Sequence, residues 1–126
     1  MPTSITISAE ERDLLYGRIV IRLTGIDDVY RAVEGGDWEA AQRLGQEFSD
    51  LLRLVCADLG WGETAPEALT LTTPADVLHR AATSLRDWAA EDRAYFDRDP
   101  GEALSVQDEA RRLAELCDRI LSCTGP

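Results

Sequence analysis

The stretch 36–59, GDWEAAQRLGQEFSDLLRLVCADL, decides the fold. Asp37 follows Gly35-Gly36 and stands where a helix N-cap belongs, because a short side-chain oxygen there accepts from an amide of the first turn. Behind it Trp38, Ala41, Leu44, Phe48, Leu51, Val55 and Leu59 recur at steps of three and four, the period of one helix face. Leu52 and Cys56 widen the stripe, as a helix with more than one neighbour requires. Such a face has to be buried against other helices, and the flanking sequence is expected to supply them.

Towards the N-terminus, Ser8 stands three residues before Glu11, the spacing of a capping box. Leu15, Ile19, Leu23, Ile26, Tyr30 and Val33 then continue the helical period, so a single bent helix is predicted from about 9 to 34, ended by Gly35-Gly36. The β-branched run Ile19-Val20-Ile21 also admits a short strand. Gly17 and Gly45 lie inside the two helices, where each costs about 1 kcal/mol relative to alanine. A close crossing of the two helices at these glycines would account for them.

Towards the C-terminus, residues 60–68 read as a loop. Thr73-Pro74-Ala75-Asp76 opens a third helix, with Thr73 capping and proline in the first turn. Its stripe is Val77, Ala81, Leu85, Trp88 and Tyr95. A break at 97–101 precedes a fourth helix from about 105 to 122, capped by Ser105 and lined by Val106, Ala110, Leu113, Cys117, Ile120 and Leu121. The fold class expected is all-α: one domain over 1–126, a four-helix bundle of two helical hairpins. The alternating segments 4–7 and 69–72 leave two readings open. They pair as a two-stranded ribbon, or each is an extended lead-in to its helix.

The totals exclude several functions. The 126 residues carry a formal net charge of −11, and all 13 fixed cations are arginine. Binding nucleic acid depends on neutralising phosphates with basic side chains, so nucleic acid is not expected as a partner, and an anionic membrane surface is equally disfavoured. No apolar run approaches the ~20 residues of a membrane span. Three cysteines without a secretory-type leader point to reduced thiols and a cytoplasmic location.

The candidate sites largely dissolve on inspection. His79 is the single histidine, three residues after Asp76, and a di-iron bundle needs two such motifs with further glutamates. Cys117 and Cys123 stand too far apart for a zinc knuckle. Cys56 and Cys117 are expected in the core and Cys123 at the surface. Asp97-x-Asp99 with Asp108 lacks the glycine and terminal glutamate of a calcium loop. Phosphate-loop, dinucleotide and nucleophile-elbow signatures are absent from the sequence. Neither an enzyme nor a cofactor nor a metal is expected.

The charges have a mainly structural reading. Asp27→Arg31, Glu39→Arg43, Asp76→Arg80, Asp108→Arg112 and Glu115→Arg119 are i,i+4 pairs in the favourable orientation. Left over are Glu91, Asp92, Asp97, Asp99 and Glu102 around the junction of the last two helices. Trp61, between two glycines, is either a plug closing one end of the core, the reading favoured here, or an exposed anchor for a partner.

The segments ISAEERDLLYGRI (7–19), GDWEAAQRLGQEFSDLLRLVCADLGWGE (36–63) and LTTPADVLHR (71–80) resemble a group of small acidic helical proteins from high-GC, actinobacterial-type bacteria. The resemblance implies no activity and carries over no site residue. The function expected is therefore a non-enzymatic protein-interaction or regulatory domain with an acidic surface. Trp61, Glu91, Asp92, Asp97, Asp99 and Glu102 are the expected contacts to a protein partner of basic character, and self-association stays open. The alternative is a small-molecule pocket lined by Trp88, Tyr95 and His79.

Overall fold

The computed structural model describes residues 5–62, 67–96 and 104–124, and for 91–96 and 104–107 the backbone alone. β1 (Ile5–Ile7) and β2 (Leu69–Leu71) pair antiparallel, with Ile5 opposite Leu71 and Ile7 opposite Leu69. The ribbon reading therefore holds over the lead-in reading. Alternation is the reason: Ile5, Ile7 and Leu71 face the core, while the Thr6 and Thr70 hydroxyls meet at 3.1 Å on the outer side.

α1 (Ala9–Leu23) starts at the predicted capping box. The Glu11 amide donates to Ser8 Oγ at 3.1 Å, and the Ser8 amide donates to Glu11 Oε1 at 2.9 Å. Residues 19–21 are helical, so the strand alternative falls. The bend comes at a 3-10 turn, Thr24–Ile26, where Gly25 leaves helical geometry with ψ at 16°. There the Thr24 hydroxyl donates to the Ile21 carbonyl at 2.6 Å, a side-chain bond that bends helices. α2 (Asp27–Glu34) follows, and the reversal at Gly36, φ +75°, uses the left-handed region open to glycine.

α3 (Trp38–Leu54) is capped by Asp37, which accepts from the Ala40 amide at 3.2 Å. It runs into a π turn, Val55–Leu59, closed by the Gly60 amide on the Val55 carbonyl at 2.8 Å. α4 (Ala75–Phe96) and α5 (Leu104–Thr124) form the second hairpin. The molecule is thus all-α, with α1 and α2 as one bent rod in a bundle of two hairpins, plus the small ribbon. Leu15, Ile19, Leu51, Leu54, Val55, Leu78, Ala81, Leu85, Leu116, Cys117 and Ile120 make one continuous core with Ile5, Ile7 and Leu71. Among the described residues no helix is long and apolar enough to cross a membrane.

Three expectations need correction. An added Cβ on Gly17 or Gly45 would meet nothing within 4 Å, so no close helix crossing explains either glycine. Thr73 does not cap α4. Its amide donates to Asp58 at 2.8 Å and its hydroxyl also donates to that carboxylate, which fastens the end of β2 to the π turn. Several arginines expected to pair along their own helix reach across to another element instead. Asp76–Arg80 does form at 3.6 Å, but Arg112 reaches Glu10 at 3.6 Å and Arg119 reaches Glu11 at 3.0 Å. Arg22 is bidentate on Glu47, and Arg80 on the buried Asp50.

Candidate docking face

The bend at Gly25 decides which part of the first helical stripe is buried. Before it, Leu15 and Ile19 are fully buried; beyond it, Ile26 is 49% exposed and Tyr30 61%. None of the eight residues of α2 is buried, although Val29, Tyr30 and Val33 give it an apolar side. The expectation of a continuous core stripe through Val33 fails for that reason: the redirected axis carries its second half off the bundle.

α3 presents a matching surface. Leu51 and Leu54 lie in the core and Phe48 is buried beside the groove, whereas Trp38, Gln42, Gly45, Ser49, Leu52 and Cys56 are all exposed. These six positions alternate steps of four and three, a seam on the outer side of the helix. Between the two helices lies an open groove of about 460 Å³, lined by Ile26 of the 3-10 turn, by Val29 and Tyr30 of α2, and by Phe48, Leu52 and Cys56 from the other wall. Gly45 and Ser49 also line it, and among the described residues Arg53 is the charged side chain that does. A contiguous apolar groove on the surface marks a site of association far more than scattered apolar residues do.

Trp61 is not a plug. It is 61% exposed, and its ring stands edge-on to Tyr16 with centroids 6.5 Å apart and planes at 82°. The end of the core is closed instead by Arg12, whose guanidinium lies 4.3 Å over the Tyr16 ring and donates to the Leu59 and Gly60 carbonyls at 3.0 Å each. Those carbonyls end the α3 rod, where the last carbonyls of a helical run have no partner within it. Trp61 consequently stays a surface aromatic on a braced base. The side chains of Glu91 and Asp92, and residues Asp97, Asp99 and Glu102, lie outside the described residues.

His79 and Trp88 do share a groove, about 740 Å³ between α3 and α4; the Tyr95 side chain lies outside the described set. His79 Nδ1 is 3.0 Å from the Thr124 hydroxyl, which itself donates to the Ile120 carbonyl at 2.9 Å. Nδ1–H is therefore the donor to Thr124. The Arg18 and Arg22 guanidiniums each lie 4.4 Å from the Trp88 ring centre. Asp50 accepts from Gln46 and twice from Arg80. The polar groups of this groove are largely spent on one another.

The cysteines divide differently from expectation. Cys56 is exposed in the α2–α3 groove, Cys123 is partly buried against the core, and Cys117 is buried. Burial, helped by the Asp118 charge, pushes the Cys117 thiol up to about 12, which makes it unreactive. Among the described residues no three potential ligands converge on a metal position.

Two structural residues escaped the sequence reading, and each left a signal. Arg12 precedes Leu15 and Ile19 at helical spacing, a charge on the apolar stripe. Asp58 sits at the end of a helical run, where a carboxylate opposes the macrodipole and needs other donors. It finds four in Thr72 and Thr73. No protein-family model matches the chain, and no curated protein or solved structure matches it.

Proposed function

We propose that this chain is a non-enzymatic protein-interaction domain that binds through the outer face of the α2–α3 hairpin. The observation that carries the reading is α2 itself: a helix with an apolar side and no buried residue. Left in water, Ile26, Tyr30, Val33, Trp38 and Leu52 forgo roughly 25 cal/mol for each Å² that a partner would cover. The strong negative charge keeps such a surface from nonspecific collapse and disfavours nucleic acid as the ligand. Trp61 on its Tyr16 base offers a second aromatic contact elsewhere on the domain.

The test is to express the tagged chain in its source cells and compare its native size in lysate with that of Tyr30→Glu and Leu52→Glu. The interaction reading expects the parent in a discrete larger species and both variants released from it with unchanged melting temperatures. Parent and variants all running as the bare chain would reject it.

A second reading rests on the α3–α4 groove, where His79 and Trp88 meet. It expects a thermal shift with a small aromatic or cationic metabolite that is lost in Trp88→Ala. No shift across a metabolite panel would remove it.

A further inference from the structure

Resting on that reading, we infer that the occupant of the α2–α3 groove is a second copy of this chain, related by a two-fold axis that passes between the two α3 helices, level with the midpoint of Gly45 and Ser49. The exposed seam of α3 is self-complementary about that point. Antiparallel pairing sets Gly45 against the second copy's Ser49, Gln42 against its Leu52, and Trp38 against its Cys56. The two smallest positions thus meet at the axis, where helices approach most closely, and the largest apolar side chain meets a small one at each end.

Gly45 supports this arrangement from another direction. A glycine in mid-helix weakens the helix, and none of the described residues uses the space it leaves, since its Cβ would have no neighbour among them within 4 Å. That space opens into the apolar groove, where a facing helix would fill it. Tyr30 on α2, with Ile26 in the turn before it, stands as the second wall, so each α3 of the pair packs beside the other copy's α2 as well as its α3. The product is an antiparallel four-helix arrangement of two hairpins.

Charge complementarity fits the same axis. The turn end of the hairpin carries Glu34, Asp37 and Glu39, all exposed, and the far end of the seam carries the exposed Arg53. Pairing about the Gly45–Ser49 midpoint brings Arg53 within a helical turn of the second copy's Glu39. Each interface contains two such contacts, because an isologous contact occurs twice. Against them stands the overall charge of −11 on each copy, a long-range repulsion that salt screens. Salt should therefore strengthen self-association, the opposite of its effect on a basic partner.

Sedimentation equilibrium on the purified full chain tests this. The parent should be in monomer–dimer exchange. Its dissociation constant should fall about tenfold between about 20 mM and about 500 mM NaCl, over which the screening length shrinks from roughly 20 Å to roughly 4 Å. Gly45→Leu, which has room to fold and favours the helix, should weaken the dimer at least tenfold, and so should Leu52→Glu. A monomer at every concentration and both salts overturns the inference, as does a dimer indifferent to both substitutions. Should the purified chain be monomeric while Tyr30→Glu still dissolves a larger species in lysate, the occupant is another protein, and the interaction reading survives without this one.

Discussion

Arg12 and Leu59 are joined by a 3.0 Å hydrogen bond from the guanidinium Nε to the carbonyl, made by a side chain that is 2% exposed. This one group ties α1 to the end of the α3 rod and supports the ring against which Trp61 rests. Arg12→Ala removes partners from the Leu59 and Gly60 carbonyls together. It should destabilise the fold by roughly 3 kcal/mol. Arg12→Lys should recover little of that, because an ammonium cannot reproduce the fork and the flat contact with Tyr16. Urea unfolding of the three proteins measures it, and a lysine variant as stable as the parent would refute the fork's role.

Asp58 makes the stability of the fold acid-sensitive. Burial raises its carboxyl pKa, but hydrogen bonds from Thr72 and Thr73 outweigh that and hold it below the usual value. Glu11 is likewise lowered, its burial outweighed by Arg119 and Ser8. A folded pKa below the unfolded one contributes stability that is present above the ordinary carboxylate range. It is lost as pH falls through the lowered folded values. Asp58→Asn should cost on the order of 2 kcal/mol at neutral pH and flatten the acid limb. Melting temperatures from pH 2 to 7 would show it.

Thiol labelling should separate the three cysteines. Cys56 is exposed and should react first with a disulfide reagent, Cys123 more slowly, and Cys117 only at the rate of global unfolding. Mass mapping after timed quenching gives the order. If the chain self-associates, labelling at Cys56 should also slow as protein concentration rises.

Gly17→Ala should stabilise the protein by about 0.5–1 kcal/mol, because its helical backbone suits alanine and the new methyl meets nothing within 4 Å. Denaturant midpoints decide this, and a loss of stability would mean that the glycine serves a contact.

Much of the architecture could be read from residue periodicity and caps. Ser8 with Glu11, Gly36 with Asp37, and the alternation at 5–7 and 69–71 are local signals, and local hydrogen bonds realise them. The exposed apolar face of α2 is illegible for a geometric reason. Ile26, Tyr30 and Val33 keep the same period as Leu15 and Ile19, and only the change of axis at Gly25 separates a buried stripe from an exposed one. The α3 helix hides its seam in the same way, because Leu52 and Cys56 look like a broadened core face until its neighbours are placed. Trp61 looked like a plug because nothing in its own loop announces that Arg12 already closes that end of the core. Pair rules along a helix likewise cannot foresee that Arg112 and Arg119 choose acids on α1.

The most direct test of the central claim, that the α2–α3 face is covered by protein in the cell, is site-specific photo-crosslinking. A photoreactive residue is placed at Tyr30, and in a second protein at the exposed Thr83 on α4 as a control. The account predicts a discrete crosslinked protein adduct from position 30 and none from position 83, with the adduct abolished by Leu52→Glu. Equal labelling from both positions, or none from position 30, would contradict it.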